Sequence, residues 1–272
     1  MLVDPFGRKI DYLRISVTDK CNYRCVYCMP PEGIELKPDH EILGYEDITA
    51  VARCAGELGI ERIRLTGGEP LVRRGIESLV AMLSSLGCFG EICMTTNGSL
   101  LTADKAGRLK DAGLSRVNIS LDTLDPQRFG EITRGGRIED VIAGIDAAIV
   151  ADLAPVKINM IVFEDTSMEE IALMRRFCEE RELELQTIKH FSLYGRDIGG
   201  EAGELSFDRP PPCETCNRLR LTTDGFLKPC LFSDIEIRAD LDDLRRSITR
   251  AVSLKPLRGT SCINRKMCQI GG

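Results

Sequence analysis

The sequence predicts an α/β fold: a partial barrel of six strand–helix units followed by a small C-terminal domain that carries a second group of cysteines. Strand-like and helix-like segments alternate from residue 11 to residue 190, which is the pattern of parallel strands wound in βα units. Several amphipathic stretches end at a glycine, at Gly59, Gly87 and Gly113, a signal for a helix C-terminus. Six strands are too few to close an eight-stranded barrel. A curved, open one is expected, with its chemistry at the C-terminal strand ends.

In order, the expected strands cover residues 12–17, 62–65, 91–95, 116–121, 156–162 and 183–190. Each is an apolar or β-branched run of strand length. The amphipathic stretches between them cover 46–58, 76–86, 103–112, 138–151 and 168–181. Asp47-Ile48 and Thr102-Ala103-Asp104 place small polar or acidic residues at helix starts. Residues 32–43 and 122–136 read as loops with a turn or two of helix. The stretch from Ser192 to Pro212 is rich in Gly and Pro and reads as a connector. The domain boundary is placed there, dividing the chain into 1–192 and 193–272. Beyond it, residues 218–223 and 226–231 flank Asp224-Gly225, a hairpin signal, and residues 241–252 read as a helix.

The composition excludes several classes. With 272 residues, 43% hydrophobic and 29% charged, the chain reads as globular and able to bury a large core. A net charge of −6 argues against a nucleic-acid partner. No apolar run has membrane-spanning length, so no membrane partner is expected. Twelve cysteines follow an N-terminus without a secretion pattern. They point to metal or redox chemistry in a reducing, cytoplasmic compartment rather than to disulfides.

Cys21, Cys25 and Cys28 stand at spacing Cys-x3-Cys-x2-Cys, on the loop that leaves the first strand. Three thiolates on one loop can hold three irons of a [4Fe–4S] cube and leave the fourth open, as catalytic sites do. A zinc knuckle is the rival, but neither His40 nor Cys54 stands at zinc-finger spacing. The second strand runs into Gly67-Gly68-Glu69. The glycines let a ligand approach the backbone, and Glu69 can accept from an ammonium group. Ser120 ends the fourth strand, where it suits a ribose hydroxyl or is an ordinary strand-end serine.

Cys213, Cys216 and Cys230 form the second group, folded together by the Asp224-Gly225 hairpin. A second iron–sulfur cluster is favoured. Zinc is the rival, with Cys262 or Cys268 as fourth ligand. Arg218 and Arg220 are two apart on a strand and so share a face. With Arg14, Arg62, Arg64 and Lys157 they are read as an anion pocket, since inward charges are costly unless paired. The alternative for these six is a set of salt bridges.

These motifs resemble the radical S-adenosylmethionine (SAM) enzymes, and within them the family of GTP 3′,8-cyclases. The resemblance spans most of the chain, including Phe6-Gly7-Arg8, the cysteine loop, Thr95-Thr96-Asn97-Gly98, Lys157-Ile158-Asn159, Cys216-Asn217-Arg218-Leu219-Arg220 and the terminal Gly271-Gly272. It implies a radical SAM barrel and two [4Fe–4S] clusters, held by Cys21, Cys25 and Cys28 and by Cys213, Cys216 and Cys230. It implies SAM contacts at Tyr27, Gly68 and Ser120, to which the turn adds Gly67 and Glu69, and GTP contacts at Arg14, Arg64, Thr95, Lys157, Arg218 and Arg220. Arg14, Gly271 and Gly272 would belong to the catalytic apparatus. The implied reaction is reductive cleavage of SAM to a 5′-deoxyadenosyl radical that cyclises GTP, the first step of molybdenum cofactor biosynthesis. The implied partners are GTP or a related purine nucleotide and an electron donor, with a homodimer as a possible assembly.

Two features depart from the family pattern. Only 22 residues separate His190 from Cys213, where the family has a long segment. The sixth strand reads Gln186-Thr187-Ile188-Lys189-His190-Phe191, where the family commonly has Arg-Phe-Ile-Glu-Phe-Met. The alternative function is therefore a compact homologue acting on a different purine nucleotide or on a peptide.

Overall fold

A computed structural model describes residues 1–194 and 212–271; the rest of the expected connector and Gly272 lie outside the described residues. In chain order the elements are β1 (Leu2–Val3), β2 (Lys9–Ile10), β3 (Tyr12–Ser16), α1 (Tyr45–Glu57), β4 (Arg62–Thr66), α2 (Ile76–Ser85), β5 (Glu91–Thr96) and α3 (Ala103–Asp111). Then come β6 (Arg116–Ser120), α4 (Pro126–Thr133), α5 (Ile138–Val150), β7 (Lys157–Val162), α6 (Met168–Glu180) and β8 (Glu184–Lys189). The C-terminal segment adds β9 (Arg218–Leu221), β10 (Phe226–Lys228), β11 (Ile237–Arg238), α7 (Leu244–Ser253) and α8 (Met267–Ile270).

The six expected strands form β3 to β8, parallel and in sequence order. Their side chains alternate. Leu13, Ile15, Ile63 and Leu65 join the apolar core, while Arg14, Arg64 and Thr66 line a cavity on the other face. That alternation follows from the period-2 geometry of a strand. The helices supply apolar stripes to the core. In α1 the buried residues include Ile48, Val51, Ala52 and Ala55, and in α2 Ile76, Leu79, Val80 and Leu83, both at helical spacing. Thr102 caps α3 by accepting from Lys105 N at 3.2 Å. The start of α1 is two residues earlier than Asp47, with Gly44 as N-cap.

The C-terminal segment does not form a separate sheet. β9 pairs parallel with β3, and β10 and β11 follow it antiparallel, giving one sheet in the order β11-β10-β9-β3-β4-β5-β6-β7-β8. Hydrogen bonding is thus continuous across the boundary expected between residues 192 and 193. The predicted hairpin is present as β9–β10, with Gly225 at φ +82°. Behind it Arg265 joins Asp224 and Glu236 at 2.8 Å each, and the fully buried Lys228 reaches Glu236 at 3.1 Å. These ion pairs fasten the chain's last turns to the hairpin.

Candidate active site

At the C-terminal ends of β3 to β8 lies a cavity of about 240 Å³ lined by Cys21, Cys25 and Cys28. The loop that carries them leaves β3, and a turn folds it, with Cys28 N donating to Cys25 O at 2.9 Å and Met29 N to the same oxygen at 3.2 Å. The loop rests on the C-terminal end of α4. Arg24 N and Val26 N donate to the carbonyls of Thr133 and Ile132 at 3.1 and 2.9 Å, groups that a helix end leaves unsatisfied. Arg134, in the left-handed conformation at φ +55°, donates through Nη1 to the carbonyls of Arg24 and Met29 at 2.8 Å each. It spans the segment that carries Cys25 and Cys28. Neither α4 nor Arg134 was expected at the site. The signal in the sequence was Asp125-Pro126, a capping residue followed by proline at the first helical position.

The donor chemistry fits a cluster. Burial pushes the Cys21 thiol up to about 11 and the Cys25 thiol up to about 12. Both are therefore neutral thiols near pH 7 until metal displaces the proton. Among the described residues no group of three ligating side chains converges on the position of a single ion. Ligands that each hold a separate corner of a cube need no such convergence.

Gly67 and Gly68 line the cavity, and the protein's own backbone requires their smallness. A Cβ at Gly67 would stand 2.4 Å from Thr18 O, and one at Gly68 2.3 Å from Lys20 O. Gly68 N and Glu69 N donate to those same carbonyls at 2.7 and 2.8 Å. The glycines thus lock the second strand's turn onto the base of the cysteine loop. Glu69 is buried, and it already accepts from Leu71 N, Thr96 Oγ1 and Asn97 N at 2.9, 2.7 and 2.7 Å. Its carboxylate, with about four lone-pair sites, keeps roughly one for an incoming donor. Tyr27 and Ser120 line the same cavity. Tyr27 packs on Phe163 at 5.9 Å between ring centroids, and Phe163 packs on His190 at 5.1 Å. His190 and Lys189, given no site role from the sequence, are cavity residues at the end of β8.

In the same cavity the strand register builds a row of cations. Arg14 pairs in register with Arg64 on β4 and with Arg220 on β9. The three residues lie abreast on neighbouring strands, each nine-tenths or more buried, and all three line the cavity. Arg64 also donates to Thr95 Oγ1 at 3.2 Å and to Tyr12 Oη. Arg218 lines the cavity beside the row, 5.9 Å from the Tyr12 ring centroid. Its Nε is buried, and no described residue accepts a hydrogen bond from it. Two expected members lie elsewhere. Arg62 pairs with Asp11 at 3.1 Å, and Lys157 pairs with Glu184 away from the cavity lining. For those two the salt-bridge reading holds.

The second cysteine group sits behind this row. Lys228 pairs with Arg220 in the hairpin, so Cys230, two residues on, comes across from Arg218, two residues after Cys216. Lys255, nearly fully buried, donates to the carbonyls of Arg218 and Pro229 at 2.8 and 2.7 Å. Arg8 donates to Cys213 O at 2.6 Å. Cys268 does not join this group. It is buried on the wall of the cavity that Cys28 also lines. Cys262 is buried too, in a small apolar cluster against which Cys230 packs, with its thiol 3.2 Å from Asn264 Oδ1. Gly271 meets Thr66 so closely that a Cβ would stand 1.7 Å from Oγ1, and its carbonyl accepts from Arg220. The tail therefore enters the cavity.

A family model of the radical SAM superfamily matches residues 15–178, and the chain belongs to that superfamily. The SAM-bound structure of Streptococcus suis SuiB superimposes with a TM-score of 0.66 at 16% identity, over 89% of this chain and 66% of that one, a likeness of fold alone. Within the superfamily the branch is that of the GTP 3′,8-cyclases. The GTP 3′,8-cyclase of Peptoclostridium acidaminophilum is 42% identical over 100% of this chain and 98% of its own, and that of Petrotoga mobilis 37% identical over the whole of both. Each alignment spans 324 positions against 272 residues here, so the relatives carry stretches that this compact chain lacks.

Proposed function

We propose that this chain is a radical SAM enzyme that cyclises GTP, the GTP 3′,8-cyclase reaction of molybdenum cofactor biosynthesis. The observation that carries the reading is the buried row Arg64–Arg14–Arg220 lining one cavity together with three cysteine thiols. Adjacent like charges in a buried site repel, and a triphosphate offsets that repulsion with oxygens that match the guanidinium fork. Relatives named for GTP cyclisation over the full chain support the same substrate.

Cys21, Cys25 and Cys28 hold the first [4Fe–4S] cluster, and Cys213, Cys216 and Cys230 the second. When bound, SAM and the first cluster supply a hydrogen-abstracting radical. The chain's own residues do the rest. Arg14, Arg64, Arg218 and Arg220 hold the polyphosphate, and Thr95 orients Arg64. Tyr27, the turn at Gly67-Gly68-Glu69 and Ser120 shape the SAM side. The seated tail narrows the cavity and keeps water from the reacting carbon. An external electron donor is required.

The test is an anaerobic incubation with SAM, reductant and each purine nucleotide in turn, read by mass spectrometry. GTP should yield the cyclised product together with 5′-deoxyadenosine. Cys25→Ala should abolish both, while Cys216→Ala should keep slow 5′-deoxyadenosine formation and lose the nucleotide product. Turnover of another purine nucleotide, or of a peptide, without turnover of GTP would assign this compact chain a different substrate.

A further inference from the structure

Arg134 breaks a local rule. It follows the last turn of α4 at φ +55° and ψ +57°, in the left-handed region. That position at a helix end is ordinarily a glycine's, because a Cβ there crowds the following carbonyl oxygen. Gly135 and Gly136 come directly after it, yet the arginine takes the left-handed turn. A residue held in this region against its own sterics points to a function for its side chain. The side chain is on the surface, and Arg134 does not line the cavity. One nitrogen, Nη1, donates to both Arg24 O and Met29 O, at 2.8 Å each. Cys25 and Cys28 lie between those two carbonyls. The neighbouring Thr133 accepts from Arg24 N at 3.1 Å, so adjacent residues at the end of α4 hold both the N–H and the carbonyl of Arg24. Arg24 in turn donates through its own Nη1 to Cys21 O and Tyr23 O at 2.7 and 3.0 Å.

We propose that Arg134 is a positioning residue for the first cluster, a brace that fixes the spacing of Cys25 and Cys28 from outside the cavity. Three thiolates on one short loop repel one another once their protons are gone. A loop under that repulsion spreads unless its ends are tied, and Arg134 ties Arg24 to Met29 across the turn that carries two of the three thiols. The tie runs through backbone carbonyls, so it is independent of SAM and of substrate. Groups outside the ligand shell that orient the ligands typically change metal affinity by about 10–100-fold. The left-handed backbone at Arg134 follows from the same need: the turn aims the side chain back over the loop, where a helical continuation would carry it past. The proposal rests on the first-cluster reading above but not on the identity of the nucleotide.

The experiment measures iron loss from the full chain, loaded anaerobically with iron and sulfide and then mixed with the chelator bathophenanthroline. A Cys216→Ala background isolates the first site, and a Cys25→Ala background isolates the second. Into each are placed Arg134→Gly, Arg134→Asn and Arg134→Lys. Gly and Asn both accept the left-handed backbone and neither reaches the loop carbonyls. With either, first-site iron should be lost about tenfold faster, while second-site iron leaves at the unaltered rate. Lys should recover most of the difference, because a single nitrogen makes both contacts in the native protein. The iron-free Gly variant should unfold at or above the wild-type midpoint, since it relieves the backbone while removing the brace. Iron loss from the Gly and Asn variants at the rate of the parent protein overturns the proposal. So does equal acceleration at both sites together with a lower midpoint, which would make Arg134 a residue of general stability. Absence of iron at the first site in the Cys216→Ala parent itself would instead defeat the cluster reading, and the proposal with it.

Discussion

Asp122 carries a pH dependence at the site. It is buried on the cavity wall and accepts from Ile161 N at 2.9 Å. Burial lifts its carboxyl from the ordinary 3.8 to about 6. A raised carboxyl favours the folded state while protonated. Its contribution is full below the ordinary value and is lost as pH rises through about 6. In iron-free protein, Asp122→Asn should therefore match wild type near pH 4 and exceed it at pH 7.5, by up to about 3 kcal/mol. Urea midpoints at the two pH values check this; an equal gain at both would point to packing instead. Arg220 makes a different prediction. Each charge-assisted contact is worth about 1.5–3 kcal/mol, so Arg220→Ala should weaken GTP binding about tenfold or more. Lys should restore only part of it, lacking the fork. Guanosine, without phosphates, should bind both proteins alike in an anaerobic titration. An equal loss for guanosine would mean that Arg220 acts through its hold on Gly271.

At the scale of elements, the cysteine loop is held between two neighbours, the β4 turn and the end of α4. Gly68→Ala tests the first. Its Cβ would meet backbone atoms of Lys20 at 2.3 and 2.6 Å, and backbone cannot swing aside as a side chain can. The expected cost is on the order of 2 kcal/mol of stability, with iron per chain falling after anaerobic reconstitution because the loop must move. Gly107→Ala is the control. It lies within α3 with no atom inside 4 Å of its Cβ, so it should add roughly 0.5–1 kcal/mol and leave iron content unchanged. Full iron loading by the Gly68 variant would show that the loop keeps its shape without this contact. α4 itself was legible only as a turn or two within a loop, because eight residues make a weak periodic signal. Its docking role depends on which carbonyls face Arg24 and Val26, a fact of tertiary packing.

At the scale of the molecule, the C-terminal segment matters because it completes both the sheet and the cavity. Arg265 is its main electrostatic fastening, with Asp224 and Glu236 both largely buried around it. Removing one partner of a buried ion pair leaves uncompensated charge, at a cost of roughly 3–5 kcal/mol. Arg265→Met should lower the unfolding midpoint accordingly and loosen the tail, read as faster amide exchange at residues 267–271. A change confined to the tail, with the global midpoint intact, would show that the network fastens the tail alone.

The sequence by itself determined the local features. The Cys-x3-Cys-x2-Cys loop, the six parallel strands, the Asp224-Gly225 hairpin and the pairing of Arg218 with Arg220 on one face all follow from spacings of a few residues. Such spacings are read by turn geometry and by the periods of strand and helix. The tertiary structure decided everything that depends on register and on distant contacts. Only strand pairing sets Arg64, Arg14 and Arg220 abreast while sending Lys157 to Glu184. Only packing shows that Gly67 and Gly68 make room for the cysteine loop's own backbone. Only the return of the tail puts Cys268 on the wall of the cavity lined by Cys21, Cys25 and Cys28 rather than among Cys213, Cys216 and Cys230. The physical reason is that one spacing is compatible with many pairings, and the choice among them is made by burial of a common core, to which residues far apart in the chain contribute together.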